Sequence, residues 1–241
     1  LWLVAREQTD DWATVSQDSM RLARRLRERQ RESQEFFATA AAKWDKLRRE
    51  LYGQQFTSTA MLSLLPSDYI VADLGCGTGG LAKELAVHVK RVIGVDNSLA
   101  MLKSARKLLL EVPNVDLRQG DLAALPIESA ACDGAILVLA LTYAPQPDLV
   151  LREAARILKP GGTVSIVDLL PHDHDDFRRQ MGQQHLGFAN QVVQKILTEA
   201  GLEDVVVRAL APEESAKGPA LFAARGRKPL NPTQSFTKEL Q

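Results

Sequence analysis

The chain has 241 residues with 30 basic and 30 acidic side chains and 45% hydrophobic residues, which suffices for one α/β domain with an appendage and excludes a surface built wholly to coat nucleic acid. Its two cysteines, Cys76 and Cys132, show neither CxxC spacing nor a disulfide framework, so a reducing compartment is expected. No apolar run approaches membrane-spanning length and no basic segment leads into an apolar export core, so a cytoplasmic location is expected.

The chain opens on Leu1, which fits a fragment or a processed product. Residues 16–33 are rich in arginine, and Met20, Leu22, Ala23 and Leu26 give only a narrow apolar stripe. That pattern suits a solvated helix laced by i,i+4 pairs, or one that pairs with a second copy as a homodimer. A second amphipathic segment at 36–52 carries Trp44, Asp45 and Arg48, and an apolar stretch at 56–65 ends at Pro66. Residues 1–66 therefore read as a helical linker and cap, 67–228 as the main domain and 229–241 as a flexible tail.

From Tyr69 onward the pattern alternates. Strands are expected at 69–74, 91–95, 115–119, 133–139, 163–168, near 203–209 and at 219–225, with helices at 79–88, 98–110, 147–158 and 189–200. Such alternation gives an α/β fold with a doubly wound, mostly parallel seven-stranded sheet. The last two strands have no helix between them, so the last strand is expected to run antiparallel.

The first strand carries the strongest signal. Ile70-Val71-Ala72 leads to Asp73 and then to glycines at 75, 77, 79 and 80. Glycines accept positive φ and, lacking Cβ, let a ligand approach the N–H groups at a helix start. Gly75, Gly77 and Gly80 also satisfy the dinucleotide pattern, with Asp96 about 20 residues on, where an acid binds a ribose diol. Asp73, Asp96 and Asp121 each end an apolar strand pattern, which sets three carboxylates along the rim where an open sheet binds its ligand. Each also suits a helix N-cap or a turn. Ser98 reads as the cap of the helix that follows Asp96.

Together, D-L-G-C-G-T-G at 73–79, V-I-G-V-D-N at 92–97, R-Q-G-D-L at 118–122 and L-K-P-G-G-T-V at 158–164 resemble, in order and spacing, the class I S-adenosylmethionine-dependent methyltransferases of the type 11 kind. The resemblance spans about residues 34–225 and implies a Rossmann-like fold. It also implies S-adenosyl-L-methionine as cofactor and S-adenosyl-L-homocysteine as product. It assigns the Gly75, Cys76, Gly77 and Gly79 loop to the methionine part of the cofactor, and Asp73 to orienting that loop and the ammonium group. Asp96 is assigned to the ribose hydroxyls, Asn97 and Met101 to the segment beside the adenine, and Asp121 and Leu122 to the adenine edge. Leu139 begins L-A-L-T-Y-A-P-Q-P, which by the same resemblance runs past the sulfonium toward the acceptor. Relatives often carry a histidine pair where this chain has Thr142-Tyr143. That departure leaves Tyr143 as an element of shape or hydrogen bonding rather than a base.

By resemblance Trp44 and Arg48 belong to a cap that closes over the cofactor, although packing of Trp44 onto the domain explains it equally. Residues 169–188 hold three of the four histidines. His172-Asp173-His174-Asp175 does not by itself make a tetrahedral metal set, so no metal is assigned. His172 and His185 are candidates for an acceptor pocket or lid. P-H-D at 171–173, L-G-F at 186–188 and A-K-G-P-A-L-F at 216–222, with W-D-K-L-R, resemble a narrower group in which an arsenic-repressor-type winged-helix domain is fused to a methyltransferase. DNA contact would then belong to a fused transcription regulator domain, with 16–33 as connector. The domain itself would be either an enzyme acting on a small-molecule acceptor, with a quinone-like ring or a carboxylate, or a sensor of the cofactor pair.

Overall fold

Seven strand patterns too apolar to face water on their core sides assemble into one sheet in the computed structural model, which describes residues 13–212 and 216–230. They are β1 (Ile70–Leu74), β2 (Arg91–Asp96), β3 (Val115–Gln119), β4 (Cys132–Val138), β5 (Leu158–Leu169), β6 (Glu203–Ala209) and β7 (Leu221–Arg227). Their order is β3-β2-β1-β4-β5-β7-β6. β1 pairs in parallel with β2 and β4, β2 with β3, and β4 with β5, whereas β7 runs antiparallel to both β5 and β6. The expected α/β sheet with an antiparallel last strand is thus the observed one. Strand order reverses at β1 and β4, so the crevice beyond their carboxyl ends is where a ligand has room to bind.

Successive residues of each strand feed opposite faces. Val71 and Val92 join Leu85, Ala105 and Leu109 under α4 (Gly80–Ala86) and α5 (Leu99–Leu108). Leu74, Val95, Leu137, Ile166 and Phe222 join Leu151 and Leu197 under α6 (Pro147–Ile157) and α8 (Asn190–Glu199). Each such fully buried side chain contributes roughly 1.5–3 kcal/mol of transfer free energy. Ser98 caps α5 by accepting from Met101 N–H (3.3 Å). Lys228 Nζ closes the far end of α6, donating to the carbonyls of Ala155 (2.8 Å), Arg156 (3.3 Å) and Leu158 (2.7 Å). Asp133 ties the start of the sheet together, accepting from Ile70 N–H and Lys159 Nζ, each at 2.8 Å.

The N-terminal helices differ from the expected pair at 16–33 and 36–52. One 28-residue helix, α1 (Ala13–Ala40), runs through that boundary and gives way to a 3-10 turn (Ala41–Lys43), then α2 (Trp44–Tyr52). The break falls where Phe36 and Phe37 meet Trp44 edge-on, at 6.2 and 5.2 Å between ring centroids. Along α1 the pairs Arg21–Asp18, Arg24–Glu28 and Arg31–Glu35 are exposed, so each adds only a few tenths of a kcal/mol. α3 spans Phe56–Leu62. The chain divides into two compact units between Ser58 and Thr59. Leu62 and Leu65, placed before Pro66 in the expected linker, pack against the sheet core. The 169–188 segment contains a short helix, α7 (Asp175–Met181), ended by Gly182 in the left-handed region. Residues 231–241 of the tail expected at 229–241, and the first twelve residues, lie outside the described residues. No helix among the described residues is long and apolar enough to cross a membrane.

Candidate active site

The glycine turn is shaped by two contacts. Gly75 and Cys76 both donate to Val95 O (2.8 and 3.0 Å), which folds the loop back over β2. Gly75 has φ 78°, and a Cβ there would lie 2.6 Å from the Ala140 Cβ, so glycine lets β1 and the turn after β4 approach. Gly77 has φ 53° and open space where a Cβ would stand. Its N–H donates to Asp96 Oδ2 (2.9 Å), while Ser98 N–H donates to Asp96 Oδ1 (2.8 Å). One carboxylate therefore joins the glycine loop to the start of α5. Asp121, after β3, accepts from Ala123 N–H (2.9 Å) in a tight local turn.

Asp73 is 2% exposed and its Oδ2 has no hydrogen-bond partner. Burial pushes its carboxyl up to about 7, against the Ala82 N–H and with help from Asp96. Cys76 is buried too, and burial, then Asp73 and Asp96, push its thiol up to about 12. Its Sγ lies 3.1 Å from where a Gly94 Cβ would be, so the side chain faces the sheet. Gly79 caps α4, with the space beside it filled by Leu109 and Ala105.

The opposite wall follows β4. Leu139 adopts φ 52°, uncommon for a branched residue, and donates to Val167 O (2.8 Å). A 3-10 turn over Leu141–Tyr143 comes next. Asp168, fully buried at the end of β5, accepts from Leu141 N–H (2.8 Å) and Thr142 N–H (3.3 Å) on Oδ2 and from Leu169 N–H (2.8 Å) on Oδ1. From the other side Gln184 and His185 donate to Thr142 O (2.9 and 3.1 Å). His185 Nε2 meets Ala144 O at 2.9 Å, as a donor because a carbonyl only accepts.

These elements enclose a cavity of about 460 Å³, within the usual span of small-molecule sites. The glycine loop contributes Gly75 and Gly77, and the β2–α5 junction contributes Asp96, Asn97, Ser98 and Met101. Asp121 and Leu122 come from the end of β3, and Leu139, Ala140, Tyr143, Ala144 and Pro145 from the segment after β4. Asp73, Cys76 and Gly79 do not line it and support the loop from behind. His172 and His185 do not line it either. His172 Nδ1 accepts from His174 N–H (3.2 Å), its ring packs edge-on to Phe177, and burial with the neighbouring His174 holds its pKa below the ordinary value. His185 buttresses the wall through Ala144. Trp44 lies in the N-terminal unit among Phe36 and Phe37, and Arg48 there pairs with Asp45 (2.9 Å) and sits over Phe56. Among the described residues no group of His, Cys, Asp and Glu is arranged to hold a metal.

Sequence reading placed the segment from Leu139 beside the acceptor without singling out Ala140, Ala144 and Pro145, whose small or apolar side chains carry no motif of their own. It missed Asp168, although an acid closing the apolar run V-S-I-V is the signal that marked the other three. The residues fit an adenosyl cofactor: Gly77 leaves an open cradle, Met101 and Leu122 offer apolar walls, and Asp96 and Asp121 retain lone pairs beyond the bonds they accept.

Residues 72–166 match a family model described as a methyltransferase domain. The match covers the glycine loop, the three strand-end acids Asp73, Asp96 and Asp121, and β4 and most of β5. It selects S-adenosyl-L-methionine as the expected cofactor over the dinucleotide that the glycine pattern also allowed. The chain is 35% identical over 101 residues to the ubiquinone/menaquinone biosynthesis C-methyltransferase UbiE of Syntrophotalea carbinolica, covering 41% of this chain and 43% of that protein. It is 34% identical over 125 residues to a 2-phytyl-1,4-naphtoquinone methyltransferase of Thermosynechococcus vestitus, covering 51% and 55%. The chain thus spans about half the length of these relatives. In structure it resembles phosphoethanolamine N-methyltransferase 2 of Haemonchus contortus in complex with S-adenosyl-L-methionine, with a TM-score of 0.62 at 18% identity, covering 73% of this chain and 53% of that one. That likeness shows the class I methyltransferase fold.

Proposed function

We propose that this chain is an S-adenosyl-L-methionine-dependent methyltransferase that alkylates a small-molecule acceptor by in-line displacement. The observation that carries the reading is the continuity of one cavity from the Gly75–Gly77 loop and the Asp96 and Asp121 rim to the Leu139–Pro145 wall. A cofactor and an acceptor can therefore meet without crossing protein. When bound, the cofactor supplies an electrophilic methyl group on a sulfonium.

The remaining work falls to the chain. Asp96 accepts from the ribose hydroxyls while its bonds to Gly77 and Ser98 hold it rigid. Met101 and Leu122 flank the adenine, with Asp121 at its edge. Asp73, buried behind the Gly75–Gly77 loop, orients that loop. Leu139 and Ala140 exclude water beside the reacting atoms, and Tyr143 orients the acceptor. Among the described residues lining the cavity none is His, Lys or Arg, and the acids Asp96 and Asp121 serve the cofactor. Rate enhancement then rests on alignment and desolvation rather than on a strong base. A flat ring is favoured, in keeping with relatives named for quinone substrates. On the resemblance at 171–173, 186–188 and 216–222, we also read the arginine-rich helix as a connector to a winged-helix domain.

The test is release of S-adenosylhomocysteine on adding reduced naphthoquinones, compared with ring carboxylates of equal size. Product with the quinols, and less with the carboxylates, supports the reading. Equal or greater turnover of the carboxylates contradicts the acceptor assignment, and no product with any acceptor contradicts the activity.

A further inference from the structure

We propose that Asp168 is a positioning residue for the acceptor-side wall, holding the Leu141–Tyr143 turn so that Tyr143, Ala144 and Pro145 stand where they line the cavity. What that wall contacts rests on the function proposed above; the clamp itself does not.

A carboxylate at a fully buried position is costly unless its oxygens are satisfied. Here all three bonds it receives come from backbone N–H groups, and two of them reach across 27 and 26 residues, from Leu141 and Thr142. The 3-10 turn cannot supply this itself, because its N-cap is Ala140, whose side chain has no acceptor. Leu141 and Thr142 are fully buried, so water cannot replace Asp168 at their N–H groups. Burial raises the Asp168 carboxyl, and the Leu169 N–H, the Thr142 side chain beside it and the Leu141 and Thr142 N–H groups oppose that rise, which places the group among donors rather than in an apolar void.

The bonds also bracket the strained residue. Leu139, at φ 52°, is fixed by its own N–H to Val167 O on one side and by Leu141 N–H to Asp168 on the other. Backbone strain of this kind persists only where the surroundings over-determine it. Asp168 does not line the cavity, so it acts through the turn. Asparagine is the informative replacement: nearly isosteric, it keeps one acceptor oxygen and turns an amide N–H₂ toward either Leu169 or the Leu141–Thr142 pair.

The experiment is residue-resolved amide hydrogen exchange on the parent chain and Asp168→Asn, with S-adenosylhomocysteine affinity measured alongside. In the variant the Leu141 and Thr142 amides are expected to exchange about 10-fold faster or more, while those of Val95–Ser98 stay unchanged and the affinity moves less than about threefold. With a quinol acceptor, kcat falls and the cofactor KM does not. Unchanged exchange at Leu141, Thr142 and Leu169 alike overturns the proposal, as does acceleration to the same degree throughout the sheet, which marks a general stabilising role. Should Asp168→Asn fail to fold, the parent chain decides: strong protection of Leu141 and Thr142 supports the clamp, and exchange at the free-peptide rate refutes it. A parent chain that binds no adenosyl ligand removes the functional reading but leaves the exchange result to stand alone.

Discussion

Two neighbouring glycines separate the architecture of the loop from its use. In Gly75→Ala the new Cβ stands 2.6 Å from the Ala140 Cβ, at φ 78°. The left-handed conformation costs about 1–2 kcal/mol for a residue with a Cβ. Relieving the overlap, which no flexible side-chain end can absorb, adds about 1–3 kcal/mol. For a chain of this size roughly 2–4 °C of Tm is lost per kcal/mol, so a fall of about 4–20 °C is expected. In Gly77→Ala φ is 53° and nothing lies within 4 Å of the added methyl. Only the conformational cost applies, and Tm drops by about 2–8 °C. The methyl does, however, enter the cradle, so S-adenosylhomocysteine affinity falls by about 10-fold or more. Thermal melts and calorimetry on both variants check this. A Gly75→Ala chain as stable as the parent, or a Gly77→Ala chain that binds normally, refutes the assignment of one glycine to packing and the other to the ligand.

Other consequences are equally direct. Asp96→Ala removes the acceptor of two backbone N–H groups and the one proposed for the ribose hydroxyls; calorimetry should show affinity for the adenosyl ligand reduced about 100-fold. Burial raises the Asp73 carboxyl from 3.8 to about 7. Its contribution to stability is therefore full below pH 3.8 and is lost as pH rises through 7, because the unfolded chain ionises first. In melts across that window, Asp73→Asn should flatten the decline and be relatively more stable than the parent at pH 8; parallel curves for the two chains contradict the placement. Burial likewise pushes the thiols of Cys76 and Cys132 up to about 12 and about 11. Both should resist a thiol-specific reagent in the native chain at pH 8 and react once it is unfolded.

The sheet was legible in the sequence because its signal is local. Each strand from Ile70 to Phe222 is a short apolar run set off by turn residues, and the acids at 73, 96 and 121 mark the carboxyl ends of β1, β2 and β3. One half of the cavity was legible for the same reason, since Gly75, Gly77, Asp96, Asn97, Met101, Asp121 and Leu122 follow strand ends in simple order. The other half is a product of tertiary contact. Ala140, Ala144 and Pro145 become wall only because Asp168, Gln184 and His185 hold the turn from two sides, across 27 and 41 residues in the case of Leu141 and Ala144. His172 and His185 drew attention as chemistry-bearing residues, yet both are engaged in backbone contacts. The continuity of α1 past residue 33 was obscured because its arginine-rich and phenylalanine-containing parts share no single apolar stripe.

The central claim is that the Gly75–Gly77 loop, Asp96 and the Leu139–Pro145 wall form an adenosyl-cofactor site. Isothermal titration of the unsubstituted chain with S-adenosyl-L-methionine and with S-adenosyl-L-homocysteine tests it directly. The account predicts saturable one-to-one binding of both, with dissociation constants on the order of micromolar. Binding of neither ligand, with a nicotinamide dinucleotide bound in their place, would contradict it.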